Sequence, residues 1–393
     1  MKTANAAPNR SSKAWFLILA AVTLVLGAGQ TARAQVTPAA GFVPPDDTPA
    51  IKIGAVIFAD YTYQTKPTST DAAGNTINPS SFNVTRAYIN VTGNISHLVA
   101  FRITPDVTRF ALTGNGLDGS VTYRLKYAYL QVNLDDWLPK GTWVRFGIQQ
   151  TPFIDSLEGA YRYRFQGTVF YEREGYGSSA DAGATFRLAF PNNYGDVHVG
   201  LYNGEGYAKP ELNNKKAFMG RVGFRPLPRS KVLKGLRLQG FWTKDNYMEN
   251  APRDRKVFNT IFEHPYVNAG FDYIKTTDKV ASIPTNGVDL YPTLDGTGYS
   301  FWVTPKKVFP NGSSIEGLIR YDHNKPGGTA STTAISSPDG LNVRWIAGGS
   351  YWFPKQGSVS AALLFDVQTE TYTNYSPAKT DTKRFYVHTL ISF

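Results

Sequence analysis

From Ile51 onward, apolar and polar residues alternate in stretches of about 8 to 14 residues, separated in turn by short polar turns and by long loops rich in Gly, Pro, Asn and Ser. A period of two puts successive side chains on opposite faces of an extended strand. Ile51, Ile53, Ala55, Ile57, Ala59, Tyr61 and Tyr63 share one face, whereas Lys52, Asp60 and Thr62 share the other. The pattern recurs in Ala87/Ile89/Val91, Val99/Phe101/Ile103, Val144/Phe146/Ile148, Ala184/Phe186/Leu188/Phe190, Phe218/Val222/Phe224 and Leu236/Leu238. It continues in Phe271/Tyr273, Phe301/Val303, Ile315/Ile319/Tyr321, Trp345/Ala347/Tyr351/Phe353 and Phe385/Val387/Ile391/Phe393. Roughly sixteen such segments predict an all-β fold.

One apolar run breaks the period. Ala14 to Ala28 follow Lys2, Arg10 and Lys13 and precede Ala32-Arg33-Ala34, the layout of a signal peptide cleaved after Ala34. The run is shorter than the roughly 20 residues of a spanning helix. Residues 1–34 are therefore expected to be an export signal, 35–50 an extended linker marked by Pro38, Pro44, Pro45 and Pro49, and 51–393 the folded part.

A soluble sandwich also alternates, and three features favour a transmembrane antiparallel β-barrel instead. Short turns alternate with long loops, as in barrels of the Gram-negative outer membrane. Segments carry aromatic ends at Tyr61/Tyr63, Tyr127/Tyr129 and Trp352/Phe353, which read as girdles at the lipid interfaces. The last segment alternates up to Phe393, which resembles the signal by which the barrel-assembly machinery recognises outer-membrane proteins. Outer-membrane lipid is then the expected surroundings.

Composition removes several chemistries. Without cysteine the chain has no disulfide, thiolate metal site, iron–sulfur cluster or cysteine nucleophile. The net charge is +11, and loss of residues 1–34 takes four basic residues and no acid, leaving +7 on the mature chain. No basic cluster directs that charge to nucleic acid, the five histidines lack metal-ligand spacing, and Gly114-Asn-Gly-Leu-Asp-Gly119 leads into a strand rather than a helix. No cofactor and no catalytic constellation is expected.

Strand parity gives the charge a direction. With the apolar residues outward, Arg86, Arg102, Arg145, Arg187, Arg221, Arg237, Arg320, Arg344 and Arg384 face the lumen, and Arg124 and Lys126 join them if Tyr123, Leu125 and Tyr127 face lipid. Asp60, Asp106, Asp181, Asp272, Glu316, Asp322, Asp366 and Glu370 are the inward acids, many within reach of an arginine. A guanidinium on the lipid face costs about 2–4 kcal/mol at the midplane, which explains the direction of the arginines but not their surplus. The surplus favours small anions over other small hydrophilic solutes.

Several segments resemble the phosphate-selective porin O and P family: Asn83-Val-Thr-Arg-Ala-Tyr-Ile-Asn-Val-Thr-Gly93, Tyr127-Ala-Tyr-Leu130, Val144-Arg-Phe-Gly-Ile-Gln-Gln-Thr-Pro-Phe153, Leu201-Tyr-Asn-Gly-Glu-Gly206 and Arg221-Val-Gly-Phe-Arg-Pro226. The resemblance runs from about Ile51 to Phe393. It implies a sixteen-stranded barrel, usually a homotrimer, with a third outer loop folded into a lumen whose arginines and lysines attract anions. Where the family often has two adjacent arginines, this chain has Thr85-Arg86-Ala87, so Arg86 alone carries over as an anion contact.

The segment after Pro152-Phe153 is the constriction candidate. It carries Asp155, Glu158, Arg162, Arg164, Glu172, Arg173 and Glu174 among Tyr161, Tyr163, Phe165, Phe170 and Tyr171. Folded inward it sets the narrowest cross-section; folded outward it is a lid or a contact between subunits. Two functions remain open on sequence alone: a passive porin, or a binding or structural barrel whose loops occlude the pore.

Overall fold

The computed structural model describes residues 47–393 except 112, 114–115, 212, 249–250, 280–282, 286–287, 291 and 331–334. The export signal, its cleavage site and all but the last residues of the linker lie outside the described residues. Sixteen strands form one closed antiparallel barrel, each paired with its neighbours in sequence and the last returning to the first. They are β1 (Ala50–Lys66), β2 (Ser80–Asn94), β3 (Val99–Arg109), β4 (Val121–Asn133), β5 (Trp143–Gln150), β6 (Ala180–Ala189), β7 (Gly195–Tyr202) and β8 (Ala217–Phe224). The second half comprises β9 (Leu236–Met248), β10 (Ala251–His264), β11 (Val267–Lys279), β12 (Thr293–Val308), β13 (Ser314–Lys325), β14 (Leu341–Trp352), β15 (Ser360–Thr373) and β16 (Thr382–Ser392). One rim carries the long loops, among them 151–179 and 326–340; the other carries both ends of the barrel and turns as short as 265–266.

Burial follows the alternation. Ile53, Phe146 and Phe365 are 74%, 72% and 60% exposed on the outer face, while Asp106, Asp272, Glu316 and Asp322 are buried on the inner one. Among the described residues no helix is long and apolar enough to cross a membrane. A crossing by the described residues would be by strands, and closure of the barrel leaves no unpaired edge to face hydrocarbon.

Parity misplaces some residues. β3 and β4 slip by one residue where Thr104 faces Tyr127 and Pro105 faces Leu125, so Lys126 is the extra residue of a bulge beside a proline that has no N–H to give. Tyr123 and Leu125 remain outside, but Tyr127 turns into the lumen, contrary to the parity expectation, and Lys126 is still inward. Tyr129 follows Tyr127 inward, its ring 4.6 Å from the Arg145 guanidinium, so this pair is not a lipid girdle. Trp352 is also inward, packed on Tyr163 and Phe165, whereas Phe353 faces out.

Loop 151–179 lies inside the barrel. It carries two short helices, α1 (Pro152–Glu158) and α2 (Phe170–Arg173), and its side chains reach strands far from its own ends: Phe165 meets Phe58 of β1 and Trp352 of β14. To receive it, β10–β15 turn Val257, Ile261, Ile274, Trp302, Leu318, Ile346 and Leu364 inward, forming one cluster with Phe153, Ile154, Leu157, Tyr161, Tyr163, Phe165 and Phe170. Burial of each such side chain is worth about 1.5–3 kcal/mol. Two glycines make room. A Cβ on Gly298 would meet the Phe170 ring at 2.7 Å, and Gly147, at φ +123°, would drive one to 2.2 Å from the Ala128 carbonyl oxygen.

The barrel closes at its last residue. Ala55 N–H donates to the Phe393 carbonyl at 2.9 Å and Phe393 N–H to the Ala55 carbonyl at 3.0 Å, continuing the β1–β16 ladder. Deleting Phe393 removes both seam bonds and an exposed apolar side chain. The truncated chain is expected to yield clearly less folded, heat-modifiable barrel in membrane fractions. Unchanged yield on a denaturing gel would reject the role of Phe393 as an assembly signal.

Candidate functional site

The inward cations divide into two groups by their partners. Arg320 is clasped by Asp322 through two bonds of 2.8 Å, with both side chains 2% exposed. Arg187 and Arg221 share Asp196, each at 2.6 Å, and Arg237 pairs with Glu263. Arg344 reaches Glu174 at 2.7 Å and Glu370 at 2.6 Å, and Arg86 stands 3.7 Å from Asp106. In each of these pairs the charge is met by a carboxylate on the same strand, a neighbouring strand or the inner loop.

The second group bonds only neutral partners among the described residues. Arg102 donates to Asn90 and Thr104 and lies 4.4 Å above the Tyr127 ring. Lys126 donates to the Tyr88 hydroxyl and faces the rings of Tyr88, Tyr127 and Tyr207. Arg124 lies over Tyr207, and Arg145 donates to Gln131 while stacking on Trp143 at 3.8 Å. Arg384 donates to Gln64. Four of these five sit on adjacent strands, β3 to β5, so uncompensated charge gathers on one sector of the wall. Aromatic faces hold it there through ring quadrupoles without cancelling it.

The inner loop brings its own charges. Arg162 pairs with Glu316 at 2.9 Å, and Tyr163 donates to the same carboxylate at 3.0 Å and contacts Ser350 at 2.8 Å. Glu174 accepts from Asn324, Asn342 and Arg344. The loop backbone is bonded too, the Thr168 carbonyl accepting from Arg320 and the Pro152 carbonyl from Arg221. Arg164 sits 2.7 Å from Glu158 and 3.3 Å from Glu172. Burial opposes its charge, yet the two carboxylates outweigh burial and hold its pKa above the ordinary value. Glu158 is pushed up by burial despite Arg164 and Lys126; burial also works against Glu172, but Arg164 and Lys126 keep it below the usual carboxylate range. Arg173, whose guanidinium donates to Gln166, is brought down to about 10 by burial and then by Arg320 and Arg344, and stays charged at neutral pH.

A cavity of about 350 Å³ separates the loop from the cationic sector. Arg102, Lys126 and Tyr127 line it from the wall, and Asp155, Glu158 and Arg164 from the loop. A second, of about 280 Å³, lies between Arg173 of the loop and Arg344 and Arg384 of the wall. A third, of about 210 Å³, holds Arg187, Arg221 and Arg237 beside Asp196. The predicted lumen residues therefore face the interior but are spread over separate compartments. Sequence reasoning missed the tyrosines that cradle Lys126, because Tyr127 was placed outside and Tyr207 lies in a loop. It also missed Arg255, buried and paired with Asp278, because its inward neighbours Val257 and Ile261 are apolar. Among the described residues no group of three His, Asp or Glu can hold a metal ion.

Solved structures resemble this one at the level of architecture. The anion-selective porin of Comamonas acidovorans matches 88% of this chain and 100% of its own at a TM-score of 0.58 and 10% identity. The outer-membrane channel DcaP of Acinetobacter baumannii matches 90% and 100% at 0.58 and 11%. OmpF of Salmonella typhi matches 87% and 97% at 0.56 and 10%. The chain has the porin fold. No family model matches it, and neither does any curated protein sequence.

The two groups of cations differ in what their loss exposes. Asp322→Asn strips the counter-ion from a buried guanidinium and is expected to cost about 3–5 kcal/mol, lowering the unfolding midpoint of the detergent-solubilised barrel. Arg102→Gln orphans no charge and should shift the midpoint by less than about 1 kcal/mol. Equal midpoints for the two variants would contradict this division.

Proposed function

We propose that the protein is a passive channel of the Gram-negative outer membrane, exported through a cleaved signal peptide and admitting small hydrophilic solutes with a preference for anions. The observation that carries this reading is the gathering of Arg102, Arg124, Lys126 and Arg145 on one wall without, among the described residues, a carboxylate at ion-pair distance. A positive potential in a water-filled passage raises local anion concentration and lowers the entry barrier. The porin fold supports a channel, and the motif resemblance to the phosphate-selective family supports phosphate among the permeant anions and a homotrimer as the assembly. The chain acts without a cofactor and catalyses no reaction.

The runner-up, a barrel occluded by its own loop, draws support from the aromatic mass that loop 151–179 places in the interior. Current across a planar bilayer separates the two. An open channel in a potassium chloride gradient should give a reversal potential of anionic sign that weakens with salt, since fields are screened over about 10 Å at 0.1 M. Replacing Arg102 and Lys126 together by Gln takes two positive charges from the wall of the cavity of about 350 Å³ and should move the reversal potential toward cations. No current at all would favour occlusion, and potassium preference in the wild type at low salt would reject the anion reading.

The loop adds a pH dependence of defined sign. Because Glu158 is held above the ordinary carboxylate value and Glu172 below it, Glu158 takes up a proton before Glu172 as pH falls from 7. The site then gains one positive charge, and anion preference should rise on acidification. Glu158→Gln should begin with the higher preference and show a smaller rise. Reversal potentials across a pH series check this, and a preference that falls with acidification would contradict it.

A further inference from the structure

Positive charge also gathers where a membrane barrel has least use for it. On the outer face of β9–β13 the ladder aligns Trp242, Lys256, Lys275, Thr297 and Lys325 as direct cross-strand partners. All three lysines are exposed, and among the described residues none of them pairs with an acid. Lys256 stands directly opposite Lys275, and like charges in that position repel and destabilise the pair. The row one step further from the long loops is aromatic: Phe258, Tyr273, Tyr299 and His323, with Tyr299 stacked on His323 at 4.6 Å.

Height on the barrel gives the row its meaning. Along β12, Lys307 lies ten positions beyond Thr297 toward the opposite rim. At a rise of about 3.4 Å per residue and a tilt of about 40°, that span is about 26 Å, close to the roughly 25 Å of a barrel's apolar band. The lysines thus stand just above the band, on the rim of the long loops, with the aromatic row as its upper girdle. The next row outward, Lys244, Asp254, Thr277 and Asp295, mixes signs, and Asp295 there accepts from Thr277. A layer of negative charge at that height would relieve the repulsion between Lys256 and Lys275.

We infer that Lys256, Lys275 and Lys325 form a docking surface for the phosphorylated headgroup of a lipid in the outer leaflet. The ammonium groups take the phosphate, and the rings below pack against the acyl chains. This rests on the outer-membrane reading above, which sets which rim faces outward.

Binding of fluorescent phosphatidic acid to the full-length protein in neutral-detergent micelles tests it. Lipopolysaccharide should compete and phosphatidylcholine should not. Each lysine near an anionic surface contributes about fivefold, so Lys275→Gln should weaken binding about fivefold and the triple change Lys256→Gln, Lys275→Gln and Lys325→Gln on the order of 100-fold. Conductance in phosphatidylcholine bilayers, measured on the same variants, reads the channel proposal separately and should not change. Undiminished binding by the triple variant, or equal competition by phosphatidylcholine, would overturn the inference. So would an amine cross-linker that joins these lysines between two copies of the chain, since the face would then be a subunit interface.

Discussion

A charge that cannot face hydrocarbon has to be accommodated inside the barrel, and the rest of this structure depends on that constraint. Closing sixteen strands leaves a polar interior, into which nearly every spanning arginine is turned together with, among the described residues, eleven buried strand acids. Most guanidinium groups are met by carboxylates, on the same strand as Arg320 is by Asp322 or on a neighbouring one as Arg221 is by Asp196. Breaking such a pair strands a buried ion, which is why paired charges hold position more firmly than they stabilise.

The inner loop is held by the same device. Glu316 and Arg344 belong to strands, yet their partners Arg162, Tyr163 and Glu174 belong to loop 151–179. Ordering a loop costs about 1–2 kcal/mol per residue in backbone entropy alone, and neither ion pairs nor aromatic burial offsets that singly. Together they fix the loop against β10–β15, on the side away from the cationic sector. The asymmetry produces the function proposed: one wall is neutralised and packed, while the other keeps its charge and its space.

Aromatic rings serve two purposes that sequence does not distinguish. On the outer face, Tyr321 and Trp345 pack ring against ring, 4.6 Å apart, where the proposed membrane reading puts an aromatic girdle. On the inner face, Tyr88, Tyr127, Trp143 and Tyr129 hold Lys126, Arg102 and Arg145 by cation–π contact and bring no counter-charge to them. A single bulge at Lys126 decides to which group Tyr127 belongs.

Period-two alternation was enough to establish the all-β class, the strand count and the inward direction of the arginines, because side-chain facing in a strand is a local property of the backbone. Local rules fail where one residue is inserted: no pattern announces the bulge beside Pro105, and parity beyond it reverses. They fail again at Val257, Ile261, Ile274 and Leu318, apolar residues that face inward because a distant loop packs on them. The sequence by itself determined that positive charge would line the interior. Which cations would be cancelled, which would be left without a carboxylate partner, and where loop 151–179 would leave room between them were decided by tertiary structure, since each depends on the approach of groups distant in sequence, as Glu174 and Arg344 are at 170 residues.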